Sequence, residues 1–103
     1  MESLTTADPR VSEAIVIWTG FGSSVSPVRD ETLVETRFGD LATELMPLVR
    51  ALDDEFYDSN ARLVAVDTVD MARRAKADFR ALHPEVEEKA TDALAWCYTF
   101  DFR

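Results

Sequence analysis

The residues of this chain whose types and spacing invite chemistry fall in one short run, Asp53-Asp54-Glu55-Phe56-Tyr57-Asp58. Four carboxylates there crowd the end of a segment, Asp40 to Asp58, in which Leu41, Leu45, Leu48, Val49, Leu52 and Phe56 recur at helical steps. Acids at a helix C-terminus meet the negative end of the macrodipole, and each costs on the order of 0.3 to 1 kcal/mol. A sequence chosen only for stability has Lys or Arg in these places, so the broken rule marks a candidate site. Acids set around Phe56 and Tyr57 make a surface for docking a basic protein, with Asp53, Asp54, Glu55, Tyr57 and Asp58 as the expected partner-binding residues. The competing explanation is intramolecular: Arg62, Arg73 or Arg74 in the next segment neutralises the cluster across a hairpin.

Other chemistries find less material. A di-iron bundle needs paired Glu-x-x-His motifs and a zinc site several Cys and His ligands, whereas the chain has one histidine, His83, and one cysteine, Cys97. A carboxylate-only magnesium site is open, because Asp67 and Asp70, like Glu88 and Asp92, stand about one helical turn apart. The run EEKATDALAWCY resembles the second acidic motif of the all-α nucleotide pyrophosphatases, although Glu88 and Asp92 are four residues apart and not three. That resemblance implies, as an alternative function, a magnesium-dependent hydrolase using Asp67, Asp70, Glu88 and Asp92. Outside it, no cofactor and no catalytic residue is expected. Cys97 lies on an apolar helical face, where a small buried hydrophobe is the usual occupant. Gly20-Phe21-Gly22-Ser23-Ser24 lacks the third glycine of a dinucleotide loop and the Gly-Lys of a P-loop, and reads as a helix end and loop.

The chemistry-bearing run must be held by an ordinary small domain. The chain has 103 residues, 47% hydrophobic and 30% charged, enough to bury one core, so residues 1–103 are expected to form a single domain with 1–7 frayed. Its net charge of -9 disfavours nucleic acid and anionic membranes as partners and favours basic proteins. No apolar run approaches the roughly 20 residues of a membrane span, and MESLTTADPR lacks the pattern of a secretory signal. A lone cysteine excludes an internal disulfide and suits the cytoplasm.

Local signals predict an all-α bundle of four or five helices. Asp8-Pro9 starts the first, ended by Gly20; Ser26-Pro27 starts a second, closed by Gly39; Asp40 caps the third, with Pro47 kinking it or delaying its start to near Met46. Helical spacing continues from Ala61 to Leu82, and His83-Pro84 breaks that helix and starts another with Glu85, Glu87 and Glu88 in its first turn. The rival is an α+β fold with short strands near 14–18, 33–38, 62–66 and 96–102, and with Asp67 capping a shorter helix. In the tail, Trp96, Tyr98, Phe100 and Phe102 point in too many directions for one helix face to bury, which predicts either a strand or a homodimer with these four rings at its interface. The leading functional expectation is a small acidic, non-enzymatic binding module that docks a basic protein partner, of inhibitor or immunity type. A structural dimerising domain is the third reading.

Overall fold

The computed structural model describes residues 4–102, all of whose regular elements are helical, with no strand among them. Helix α1 (Pro9–Thr19) starts where Asp8-Pro9 places it, with the Asp8 carboxylate accepting from the Arg10 amide. It absorbs the β-branched run Ile15-Val16-Ile17 because Val11, Ala14, Ile15 and Trp18 form one buried stripe, and burial outweighs local β preference. Gly20 ends it in the left-handed region at φ 79°, where a Cβ would also lie 3.0 Å from Ser24 Cβ and Val28 Cγ2.

Helix α2 (Glu31–Phe38) is capped by Asp30, whose carboxylate accepts from the Thr32 amide and hydroxyl. The Ser26-Pro27 start is not used. The Val28 and Asp30 amides instead donate to the carbonyls of Thr19 and Trp18, at 3.1 and 2.9 Å, which holds that stretch as a loop against the end of α1. A 3-10 turn over Gly39–Leu41 leads into α3 (Ala42–Phe56), so Asp40 lies inside the turn and is not the cap. Pro47 sits within α3 on its exposed side, where the only forfeited bond is to the Thr43 carbonyl.

The expected continuous helix from Ala61 to Leu82 is two helices, α4 (Ala61–Val64) and α5 (Thr68–Leu82). Asp67 separates them, capping α5 by accepting from the Asp70 amide at 2.7 Å. After the turn at His83-Pro84, α6 (Glu88–Phe102) begins later than expected, with Glu85 and Glu87 ahead of it. Helix α6 then runs through the aromatic tail. None of the strands considered for 14–18, 33–38, 62–66 and 96–102 forms, because Ala90, Leu94, Cys97 and Tyr98 keep helical register into the core just as α1 does.

Helix α6 packs between α1 and α5, and α3 crosses both of those. The core between them is Val11, Ile15 and Trp18; Leu45, Val49, Leu52 and Phe56; Met71, Ala75 and Phe79; Ala90, Leu94 and Tyr98. Phe56 stands at its centre, 5.2 Å from the Phe79 ring and 5.7 Å from Tyr98. In the described part of the lead-in, Leu4 packs on the core and the Thr6 hydroxyl donates to Glu85.

The tail aromatics find cover within the chain only in part. Tyr98 is fully buried, Trp96 meets Phe21 at 5.5 Å, and Phe102 packs against Tyr57 and Tyr98 with the Arg62 guanidinium 4.9 Å from its ring centre. The turn after α3 thus covers part of the tail, through Tyr57 and Arg62, while Phe100 and Phe102 stay 38 and 39% exposed. That turn is tied by the Tyr98 hydroxyl, which accepts from the Arg62 amide at 3.0 Å and donates to the Ser59 carbonyl at 2.9 Å. Tyr98→Phe leaves the Arg62 amide unpaired beside the core, while the Ser59 carbonyl keeps the Arg62 guanidinium, and is expected to lower unfolding free energy by about 1 to 3 kcal/mol in urea melts, without loss of helical circular dichroism.

Candidate functional site

The acidic run at the end of α3 divides by direction. Asp53 and Tyr57, one turn apart, face inward; Glu55 faces the turn before α6; Asp54 and Asp58 face solvent. None of the arginines expected to neutralise the run does so. Arg73 and Arg74 both pair with Asp70 on their own helix, and Arg62 donates to the Ser59 and Tyr57 carbonyls at 2.9 and 3.5 Å, serving the end of α3 as a cap.

The cation that meets Asp53 is Arg29, from the loop between α1 and α2. Its Nε lies 3.5 Å from Asp53 Oδ2, its Nη2 donates to the Tyr57 hydroxyl at 2.6 Å, and Nη2 is 3.6 Å from Asp101 Oδ2 on α6. Tyr57 in turn donates to Asp101. The guanidinium sits between two rings, 5.9 Å from the centre of Trp18 and 5.3 Å from that of Tyr57. Arg29 is also the one non-glycine with positive φ among the described residues, at 49°, a conformation that costs roughly 1 to 2 kcal/mol. The contacts on its side chain hold it there, and they join the loop, α3 and α6.

Burial moves the ionisations of this clasp. Desolvation raises the Asp53 pKa against the opposing pull of Arg29, and one of its oxygens, Oδ1, is buried with no hydrogen-bond donor. Desolvation likewise raises Tyr57, helped by its bond to Asp101. The buried thiol of Cys97, nearby on α6, is pushed up to about 12 by desolvation, which keeps it protonated.

Glu55 belongs to a second tie. Both ring nitrogens of His83 meet carboxylates: Nε2 that of Glu55, and Nδ1 that of Glu85 at 2.9 Å. A neutral imidazole has one N–H and leaves one carboxylate facing a lone pair, so the arrangement favours the cation. Desolvation lowers the His83 pKa, but the bonds to Glu85 and Glu55 outweigh it and the net shift is upward. Glu85 is held at about 2, first by the Thr6 hydroxyl and then by His83.

The four acids of the magnesium alternative are occupied separately. Asp67 caps α5, Asp70 accepts from Arg73, Arg74 and the Val66 amide, Glu88 is 3.3 Å from Arg80, and Asp92 is 3.1 Å from Lys76. Among the described residues no three His, Cys, Asp or Glu side chains stand close enough to share a metal ion.

The chain matches no family model, no curated protein and no solved structure. Function must therefore be argued from the site itself.

What remains outward-facing on α3 is an acidic stripe. Asp40, Glu44, Asp54 and Asp58 are all exposed, and none forms an ion pair with a described residue. Glu44, Pro47, Ala51 and Asp54 advance by three, four and three along one face of α3, and Asp40 in the 3-10 turn before it and Asp58 in the turn after it stand at its two ends. Asp40 and Glu44 were legible as acids but not as members of the site, and helical phase was the signal that links them to Asp54.

Two outcomes test these ties. Arg29→Ala leaves Asp53 buried without its cation and is expected to lower stability by about 2 to 4 kcal/mol, most of it regained in Arg29→Ala/Asp53→Ala, as a double-mutant cycle in urea reads. The His83 contribution is fully present below its unfolded pKa of 6.5 and lost as pH rises through the raised folded value. The Glu85 contribution is present above 4.5 and lost as pH falls towards 2. Melting temperature is thus expected to be highest between those limits and to fall from pH 6.5 to 8.5, with His83→Gln flattening the alkaline limb.

Proposed function

We propose that this protein is a small acidic binding module that docks a basic protein on the outer face of α3, with an inhibitor or immunity-type role as the sharpest form of that reading. One observation carries it: Asp40, Glu44, Asp54 and Asp58, on α3 and the turns at its two ends, are exposed with no ion pair among the described residues, Arg10 acting on Glu44 only at longer range, while most other described acids are engaged by a base, a hydroxyl or a backbone amide. Like charges in a row on a helix repel one another, so the stripe opposes folding and gains its use only when a cationic surface covers it. Pro47 and Ala51 keep the middle of the face low, which lets the backbone of a partner approach.

The site differs from the one expected from sequence in three residues. Asp53 and Tyr57 are structural members of the Arg29 clasp, and Glu55 is bound to His83, so docking falls to Asp54 and Asp58 together with Asp40 and Glu44. The remaining charge on a chain of -9 steers a basic partner towards this face and raises the association rate more than the residence time.

Titration with an oligolysine peptide, followed by amide chemical shifts, is expected to move residues 40, 44, 54 and 58 first, and the effect should shrink as salt is raised. Asp54→Asn/Asp58→Asn should remove most of that response and leave the melting temperature unchanged or slightly higher, since repulsion at the helix end is relieved. Shifts spread evenly over every acidic residue, or a marked loss of stability in the double variant, would refute the assignment.

A further inference from the structure

A cleft of about 490 Å³ opens between α1 and the start of α6, within the range of small-molecule sites, about 300 to 1,000 Å³. Its apolar lining is Val16 and Ile17, both only partly buried, and the buried Ala90, whose small side chain leaves room in front of it. Three polar groups of the lining are not spent on the fold. Ser12 is 3% exposed, and its hydroxyl accepts from the Glu87 amide at 3.1 Å. The hydroxyl's own proton has no acceptor among the described residues, whereas Thr19, Thr36, Thr91 and Thr99 each return theirs to a carbonyl of the preceding turn. Lys89 is exposed and makes no ion pair or hydrogen bond with a described residue. Every other described basic side chain is engaged, by a carboxylate or, for Arg62, by backbone carbonyls. In a chain of net charge -9, where acids are in excess, a cation left free is the exception. Glu87 lines the same cleft, and its carboxylate likewise has no described partner. Glu13, also at the cleft, is held by Arg37 at 3.3 Å.

We propose that this cleft binds a free aliphatic α-amino acid. The ligand's carboxylate meets the Lys89 ammonium and the Ser12 hydroxyl proton, at the end of α6 where the helix dipole is positive. Its ammonium meets the Glu87 carboxylate, and its side chain lies on Val16, Ile17 and Ala90. Charge selects the zwitterion. Glu87 repels a bare carboxylate such as a fatty acid, and Lys89 repels a bare amine, whereas one free anion and one free cation two residues apart suit a molecule that carries both charges on neighbouring atoms. The same count makes the ligand's side chain apolar. Once Glu87 and Lys89 are used and Glu13 stays with Arg37, the cleft holds no counter-charge for an acidic or basic side chain. None of these residues lies on the outer face of α3, so this site and the docking of a basic partner stand or fall separately.

Leucine is the probe. Titrated into the full chain and followed by amide chemical shifts, it is expected to move residues 12, 16, 17, 87, 89 and 90, and to raise the melting temperature as a ligand of the folded state alone does. Isocaproate, which is leucine without the ammonium, and isoamylamine, which is leucine without the carboxylate, should each bind at least about tenfold more weakly. Lys89→Gln should weaken leucine binding by a similar factor and leave the melting temperature of the free protein unchanged, because that side chain has no described partner to lose. Glu87→Gln should weaken leucine binding while strengthening that of isocaproate, since the repulsion between two carboxylates is removed. No response to leucine at millimolar concentration, shifts scattered away from the cleft, isocaproate binding as tightly as leucine, or a leucine affinity unmoved by both substitutions would each overturn the proposal.

Discussion

The fold turns on a single arginine that enters the protein from a loop. Arg29 is the point at which the connection after α1, the end of α3 and the end of α6 are joined, through Asp53, Tyr57 and Asp101 and between the rings of Trp18 and Tyr57. An ion pair of this kind is a poor source of net stability, since desolvating the charges consumes much of what their attraction returns. Its value lies in specificity. A guanidinium held in a fixed plane between two rings accepts one arrangement of three elements, and the left-handed backbone at Arg29 persists only while that arrangement stands. The donorless Oδ1 of Asp53 shows that the match is incomplete, and burial has been accepted there for position.

The same economy governs the rest of the charge. Several acids that face another element are given a base: Glu31 with Arg50, Glu13 with Arg37, Asp92 with Lys76, Glu55 with His83. These pairs are mostly exposed and individually weak, and the acids they leave without a base include Glu44 and Asp54 on α3 and Asp40 and Asp58 in the turns at its ends.

Much of the fold was legible in the chain. Asp8-Pro9, Gly20, Gly39 and His83-Pro84 act through the residue's own backbone or a neighbour's amide, so their effect survives without tertiary context, and all four mark real boundaries. The periodic stripe of α3 was equally clear. Less legible were signals with two local outcomes. Ser26-Pro27 read as a helix start, and the hydrogen bonds of that loop to Thr19 and Trp18 moved the start to Asp30. The aromatic tail alternated as a strand would, yet burial of Leu94, Cys97 and Tyr98 against α1, α3 and α5 made it helical.

What the sequence by itself determined was the class of the molecule: helical, acidic, of one core's size, with too many carboxylates at the end of its central helix. Those properties depend on composition, on period and on contacts within one turn, which a linear reading contains. Which of the carboxylates belong to the fold and which to a surface was decided by tertiary structure alone. The residue that claims Asp53 is 24 positions before it and the one that claims Glu55 is 28 after it. Neither distance carries a periodic or local signal. Arg29 in particular has no mark in the sequence, because its role rests on a backbone conformation that its own side chain disfavours and only packed neighbours sustain.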